Sequence, residues 1–166
     1  LIKAAGAFLY WKLRPSRASR VKSATLSFLK GRSADEMLDV ARAFFRDEYL
    51  PRFYQDGLTE LWSLRSQGMK LVVVSASPDV YMRALPEFMP LDAVQVGENC
   101  KGEEKVRRIE QYLKENGFVL DMKCSSAYGD SPSDADMMAL VNRAVLVNPK
   151  KALLRRRPDG IVVHWT

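Results

Sequence analysis

The chain predicts an α/β fold: a parallel sheet covered by helices on both faces, with a small helical block ahead of it. Three observations carry this. Lys70-Leu-Val-Val-Val-Ser75 is a continuous apolar run of the kind a strand buried on both faces shows. From Asp56 onward, strand-like runs alternate with helix-like ones, which is the pattern of a parallel sheet built from crossovers. Finally, Ser126-Ala-Tyr-Gly-Asp130 passes from small and apolar residues directly into a helix start at Ser131.

The elements follow in order. Ile2, Ala5, Leu9 and Leu13 share a helical face broken by Pro15, and Val21, Ala24, Leu26, Phe28 and Leu29 suggest a second helix closed by Gly31. Ser33 followed by Glu36 is a capping box for a third. Met37, Val40, Ala41, Phe44 and Phe45 give that helix its apolar face, and it is expected to run to about Leu50 before Pro51. Residues 1–55 therefore read as a helical cap and 56–166 as the sheet-bearing core. An amphipathic helix over Gly57–Gln67 should turn Leu58, Leu61, Trp62 and Leu64 inward and end at Gly68. Ser77-Pro78 opens another helix, and Asp92–Val96 reads as a short strand. Glu103–Asn116 is a helix with Val106, Ile109 and Leu113 inward, ended by Gly117. A strand at Ala144–Val147, a short helix and a last strand at Ile161–Trp165 complete the chain.

At 166 residues the chain can bury a real core. Its net charge of +6 suits phosphate-bearing partners, but Arg14, Arg17, Arg20 and Lys22 are scattered as on a solvated surface. No aromatic-interleaved basic motif or zinc spacing points to nucleic acid. Cys100 and Cys124 form no CxxC pair, so a reducing cytoplasm is expected. No apolar run reaches about 18 residues, so no membrane span is expected. Leu1–Leu13 reads as a cap or core helix rather than a leader, because it has no small-residue cleavage site. His164, alone among Val162, Val163 and Trp165, reads as structural.

Three polar features are expected at the carboxyl edge of the sheet, where ligands of open α/β sheets bind. Ser75 ends its strand, and its hydroxyl with the following amides of Ala76 and Ser77 makes a phosphate cradle at a helix start. Lys101 and Lys105, in Cys100-Lys-Gly-Glu-Glu-Lys105, offer positive charge at another. Asp130 and Asp134 form a carboxylate pair suited to a hard cation, Mg²⁺ above all. Each residue also has a plain structural reading: Ser75 and Asp134 as helix caps, Asp130 as a turn residue, the lysines as solvated charge. Serine, lysine and paired carboxylates at element ends, in that order, together make a set for phosphoryl transfer.

Val72-Val-Val-Ser75-Ala-Ser-Pro, Lys101-Gly-Glu-Glu-Lys105-Val and Tyr128-Gly-Asp-Ser-Pro-Ser-Asp134-Ala-Asp-Met resemble motifs two, three and four of the haloacid dehalogenase superfamily. Within it, the phosphoserine-phosphatase-like subfamily IB is the most similar. The resemblance implies a Rossmann-like core with a helical cap and a Mg²⁺-dependent phosphatase acting on a small phosphorylated metabolite, as a monomer or homodimer. By this likeness Ser75 binds the phosphoryl group with Ala76 and Ser77. Lys105, with Lys101 in reserve, neutralises its charge. Asp130 ligates Mg²⁺, and Asp134 ligates it directly or through water and orients the site.

The family's first motif, Asp-x-Asp-x-Thr/Val after a strand, supplies the nucleophile and the general acid/base. Asp134-Ala-Asp136 has that spacing but lies within a helix, after no strand. The resemblance places the first-motif strand between those ending at Ser75 and Asp130. Leaving its place empty would cost on the order of 1–3 kcal/mol for each unpaired backbone group. The expectation is that the sequence begins partway into a longer protein, and that a chain break or omitted hairpin falls between Asp92 and Asn99. The alternatives are a relative that binds a phosphorylated ligand without turnover, and phosphomutase or phosphotransferase chemistry. Dehalogenation fits less well, because it does not need the metal site.

Overall fold

The computed structural model describes residues 31–166 except 32, 78 and 98. The helices expected over 2–13 and 21–29 lie outside the described residues. α1 (Ala34–Phe44) opens on the expected capping box, with the Ser33 hydroxyl accepting from the Glu36 amide and the Glu36 carboxylate accepting from the Ser33 amide. It continues through a wide turn, Phe45–Tyr49, and a tight one, Leu50–Arg52. Ala41 and Phe45 from this segment are buried in one cluster with Met82, Ala84 and Leu85, and Val73, Val94 and Val96 pack against it. This part of α1 thus packs in one cluster with residues of the first strands.

α2 (Gln55–Ser66) follows, then β1 (Val72–Ser75), α3 (Asp79–Met82), β2 (Ala93–Val96), α4 (Glu103–Glu115) and β3 (Ser126–Gly129). A tight turn at Pro132–Asp134 leads into α5 (Ala135–Met138), followed by β4 (Arg143–Val147), α6 (Lys151–Arg156) and β5 (Ile161–Val163). Among the described residues the strand pairs are all parallel, as expected of an α/β fold. β4 carries four consecutive buried residues, Ala144–Val147, and anchors a second core with Ala135, Met138 and Leu153. Gly160 lies against that core: a Cβ there would sit 2.0 Å from the Leu146 Cδ1.

Several expectations are corrected. Trp62 is 58% exposed, because Leu61 and Leu64 take the inward face of α2 and Trp62 projects beside it. Within the Asp92–Asn99 interval expected to hold a break or omitted hairpin, β2 pairs with β1 residue for residue over Ala93–Val96, and the Cys100 amide donates to the Gly97 carbonyl at 3.3 Å. β5 ends at Val163, leaving His164 exposed beyond it. Asn148, at φ 43°, stitches the following segment down by donating to the Trp165 carbonyl at 3.0 Å and accepting from its amide at 3.2 Å.

The strands form two sheets, β1-β2 and β3-β4-β5. β1 is half-buried throughout, where burial on both sides was expected, because one of its edges borders a cavity of about 870 Å³. Val72–Val74 line one side of this slot, and Ser126–Asp130 line the other. Backbone groups alternate sides along a strand. The Leu71 carbonyl accepts from the Asp92 amide, on the β2 side, so Val72 and Val74 present theirs to the slot. The Asp130 carbonyl accepts from the Lys150 amide, on the β4 side, so Ala127 and Gly129 present theirs to the slot. Among the described residues no strand lies between these two edges.

Candidate active site

The carboxyl ends of β1 and β3 meet at one side chain. Lys105, in the first turn of α4, donates to the Val74 carbonyl at 2.9 Å and to Asp134 Oδ1 at 2.6 Å. Both side chains are buried, with Lys105 8% and Asp134 5% exposed. Of the two lysines singled out in the sequence, Lys105 makes these contacts, whereas Lys101 precedes the helix and is exposed.

Asp134 is held on every side. Its Oδ2 accepts from the Ser131 amide at 3.0 Å, the Ser131 hydroxyl at 2.9 Å and the Asp130 amide at 3.3 Å. Burial pushes this carboxyl up, but the Lys105 ammonium and the Ser131 donors outweigh it and hold it below its ordinary range. The capping-box reading of Ser131 and Asp134 is therefore realised, and the same carboxylate is a buried ion-pair partner. Gly129 makes room for it: a Cβ there would lie 2.6 Å from the Asp134 Cβ.

Asp130 is different in kind. Its carboxylate is exposed and pairs with the Lys150 ammonium at 2.9 Å, while its carbonyl accepts from the Lys150 amide. Ser75 ends β1 with its hydroxyl accepting from the Ser77 amide at 3.1 Å, and Ala76 lies between them in the same turn. Ser75, Lys105, Asp130 and Asp134 are thus all placed at one end of the two sheets.

Sequence reasoning missed three contributors. Lys150 stands just after β4 and reaches Asp130, and its one prior signal is its position beyond a strand's carboxyl end. Arg156, on α6, donates to the Pro132 carbonyl at 2.8 Å and to Asp136 Oδ1 at 2.7 Å, a contact across 20 residues with no local signature. Inside the slot, the Tyr128 hydroxyl donates to Glu60 and accepts from Arg143 at 2.7 Å; burial and the Glu60 carboxylate push its pKa up to about 12.

The donor chemistry at Asp130 fits a Mg²⁺ ion, which takes one or two carboxylates and completes its shell with water and phosphate oxygens. Asp134 fits the orienting role better than direct ligation, since both of its oxygens are engaged. Among the described residues no three His, Cys, Asp or Glu side chains gather as a metal cluster. Also among them, no helix is long and apolar enough to cross a membrane.

Comparison with known proteins accords with this geometry. The family of haloacid dehalogenase-like hydrolases matches residues 1–139. Protein CicA of Caulobacter vibrioides is 26% identical over 144 residues, covering 76% of this chain and 62% of its own length. Phosphoserine phosphatase SerB1 of Mycobacterium tuberculosis is 26% identical over 144 residues, covering 77% of this chain and 46% of its own length. The chain therefore spans only part of the length of these curated relatives. A Bordetella pertussis protein of unknown function superposes with a TM-score of 0.81 at 18% identity, over 96% of this chain and 79% of that one. A HAD family hydrolase from Salmonella enterica serovar Typhi superposes with a TM-score of 0.57 at 15% identity, over 68% of this chain and 44% of that one. At these identities the two structures speak for the fold.

Proposed function

The chain belongs to the haloacid dehalogenase-like hydrolases, and on that premise we propose that it forms the phosphate- and metal-binding part of a Mg²⁺-dependent phosphomonoester hydrolase. Its substrate would be a small phosphorylated metabolite of the cytoplasm. The observation that carries this reading is Lys105, which ties the ends of β1 and β3 together beside Ser75 and Asp130. In the proposed roles, Ser75 and the amides of Ala76 and Ser77 receive the phosphoryl oxygens. Lys105 offsets their charge, and Asp134 fixes the lysine. Asp130 would hold Mg²⁺, which supplies Lewis-acid stabilisation of charge on the transferring group.

The nucleophile is the missing component. We assign it to an aspartate upstream of Leu1, at the end of a strand seated in the slot between β1 and β3. Such a strand would pair with Val72 and Val74 on one side and with Ala127 and Gly129 on the other, and its carboxyl end would point at Lys105. Carboxylate attack on phosphorus would expel the alkoxide, and water would then hydrolyse the aspartyl phosphate. The parallel edges, the slot and the relatives' greater length support this reading.

A second reading rests on Asp134 itself. It is fully engaged, and Asp130 is paired to Lys150, so the described site by itself holds no free carboxylate beside Ser75. Without the upstream strand, the site binds a phosphorylated ligand without turnover. The test is Mg²⁺-dependent phosphate release from an aryl phosphate, by the 166-residue chain and by a version extended upstream to an Asp-x-Asp motif. Release by the extended form alone supports the proposal. Chelator-insensitive release, or none from either form, overturns it.

A further inference from the structure

We propose that Arg156 is a positioning residue, whose guanidinium locks the Pro132–Asp136 turn against the start of α4 so that Lys105 and Asp134 meet. Three observations converge on the turn that carries Asp136, the carboxylate whose spacing from Asp134 mimics a first motif and to which the proposed reaction gives no role. First, Arg156 grips two groups of one turn at once, the Pro132 carbonyl at 2.8 Å and Asp136 Oδ1 at 2.7 Å. Second, the Gly102 amide, just before α4, donates to the Ser133 carbonyl of that turn at 3.0 Å. Third, Gly102 holds a left-handed φ of 57°, and a Cβ built on it would lie 3.0 Å from Asp136 Oδ2. Asp136 is therefore engaged from α6 on one oxygen and abutted by the backbone of Gly102 on the other.

The consequence runs through short covalent links. Gly102 precedes Lys105 by three residues, and its carbonyl accepts the Lys105 amide at 3.0 Å. Asp134 lies within the turn that Arg156 grips. The two halves of the buried pair are thus mounted on supports that touch at Gly102, Ser133 and Asp136. α6 reaches this motif from both ends, since Lys150 at its N-terminal flank holds Asp130.

A plain surface ion pair would contribute little. Arg156 is 49% and Asp136 31% exposed in their side chains, so charge alone does not account for a role. What distinguishes the contact is the fork: one planar group spans a carbonyl and a carboxylate in fixed geometry, which an ammonium does not reproduce. Lysine at 156 should therefore restore charge without restoring position.

The catalytic part of this inference rests on the phosphatase reading; the positional part does not, and the test separates them. Amide hydrogen exchange is measured on wild type, Arg156→Met, Arg156→Lys and Asp136→Asn, alongside phosphate release by the upstream-extended protein. The Gly102 and Lys105 amides should exchange about tenfold faster in Arg156→Met, and nearly as fast in Arg156→Lys, while β4 and β5 amides keep their protection. Turnover should fall about tenfold with KM for the aryl phosphate little changed. Unchanged Gly102 exchange overturns the proposal, as does uniform loosening of all amides in both Arg156→Met and the milder Asp136→Asn. If wild type releases no phosphate, the phosphatase reading fails, and the exchange data still decide the positional role.

Discussion

Lys105 and Asp134 face each other at 2.6 Å, nearly out of solvent, and the same ammonium reaches the Val74 carbonyl of the other sheet. A buried pair of this kind stabilises little against an apolar substitute, but removing one partner strands the other charge. Lys105→Met should therefore cost about 3–5 kcal/mol, read by urea unfolding. The double variant Lys105→Met/Asp134→Asn should recover part of the loss, because the amide oxygen still accepts from Ser131. A double variant no more stable than the single one would show that the charge is not what matters.

Gly129→Ala tests the fit around the same carboxylate. The added methyl meets the Asp134 Cβ and carboxyl carbon at 2.6 and 2.8 Å, neither of which is a flexible side-chain end. A cost of about 1–3 kcal/mol is expected by analogy with overpacked cores. The turn after β3 should shift with it, visible as amide chemical-shift changes concentrated at residues 130–134.

Asp130→Asn should separate stability from chemistry. The Asp130–Lys150 pair is exposed on both sides, so its loss should alter unfolding free energy by no more than about 1 kcal/mol. Phosphate release by the upstream-extended protein should fall by on the order of 10²-fold or more. Undiminished turnover would remove Asp130 from the metal site.

Acid sensitivity has a source away from the site. Asp92 is pushed up by burial, but the Leu71 amide, Lys70 and Arg65 overcome this and lower its pKa from 3.8 to about 2. In that window the unfolded chain binds the extra proton, so stability rises with pH. The contribution of Asp92 is complete above about pH 4 and is lost as pH falls toward 2. Asp92→Asn should flatten the wild-type stability curve over that range, in urea titrations at stepped pH. A curve of unchanged slope would assign the acid sensitivity to other carboxylates.

Much of this was legible in the sequence, for reasons that are local. Ser33 and Glu36, or Ser131 and Asp134, cap helices through contacts three residues apart, and such signals survive in any context. The apolar run ending at Ser75 and the small residues before Gly129 fixed where the strands end, and hence where the site lies. The burial of Lys105 depends on the inward turn of α4 and its contact with the turn after β3, and the exposure of Trp62 on which neighbours claim the inner face of α2. The Arg156–Asp136 contact and the half-burial of β1 arise from tertiary proximity alone, and no periodicity encodes them.

The slot between the sheets has a consequence for the chain in solution. Two parallel strand edges, with no described strand between them and flanked by Val72–Val74 and Ala127, form a template for any extended segment, including one from another molecule. Unoccupied, such a template is an aggregation hazard, since parallel addition of foreign strands saturates the backbone as well as the proper one does. Solubility is then coupled to completeness: whatever strand fills this opening is at once a structural member and a shield against self-association.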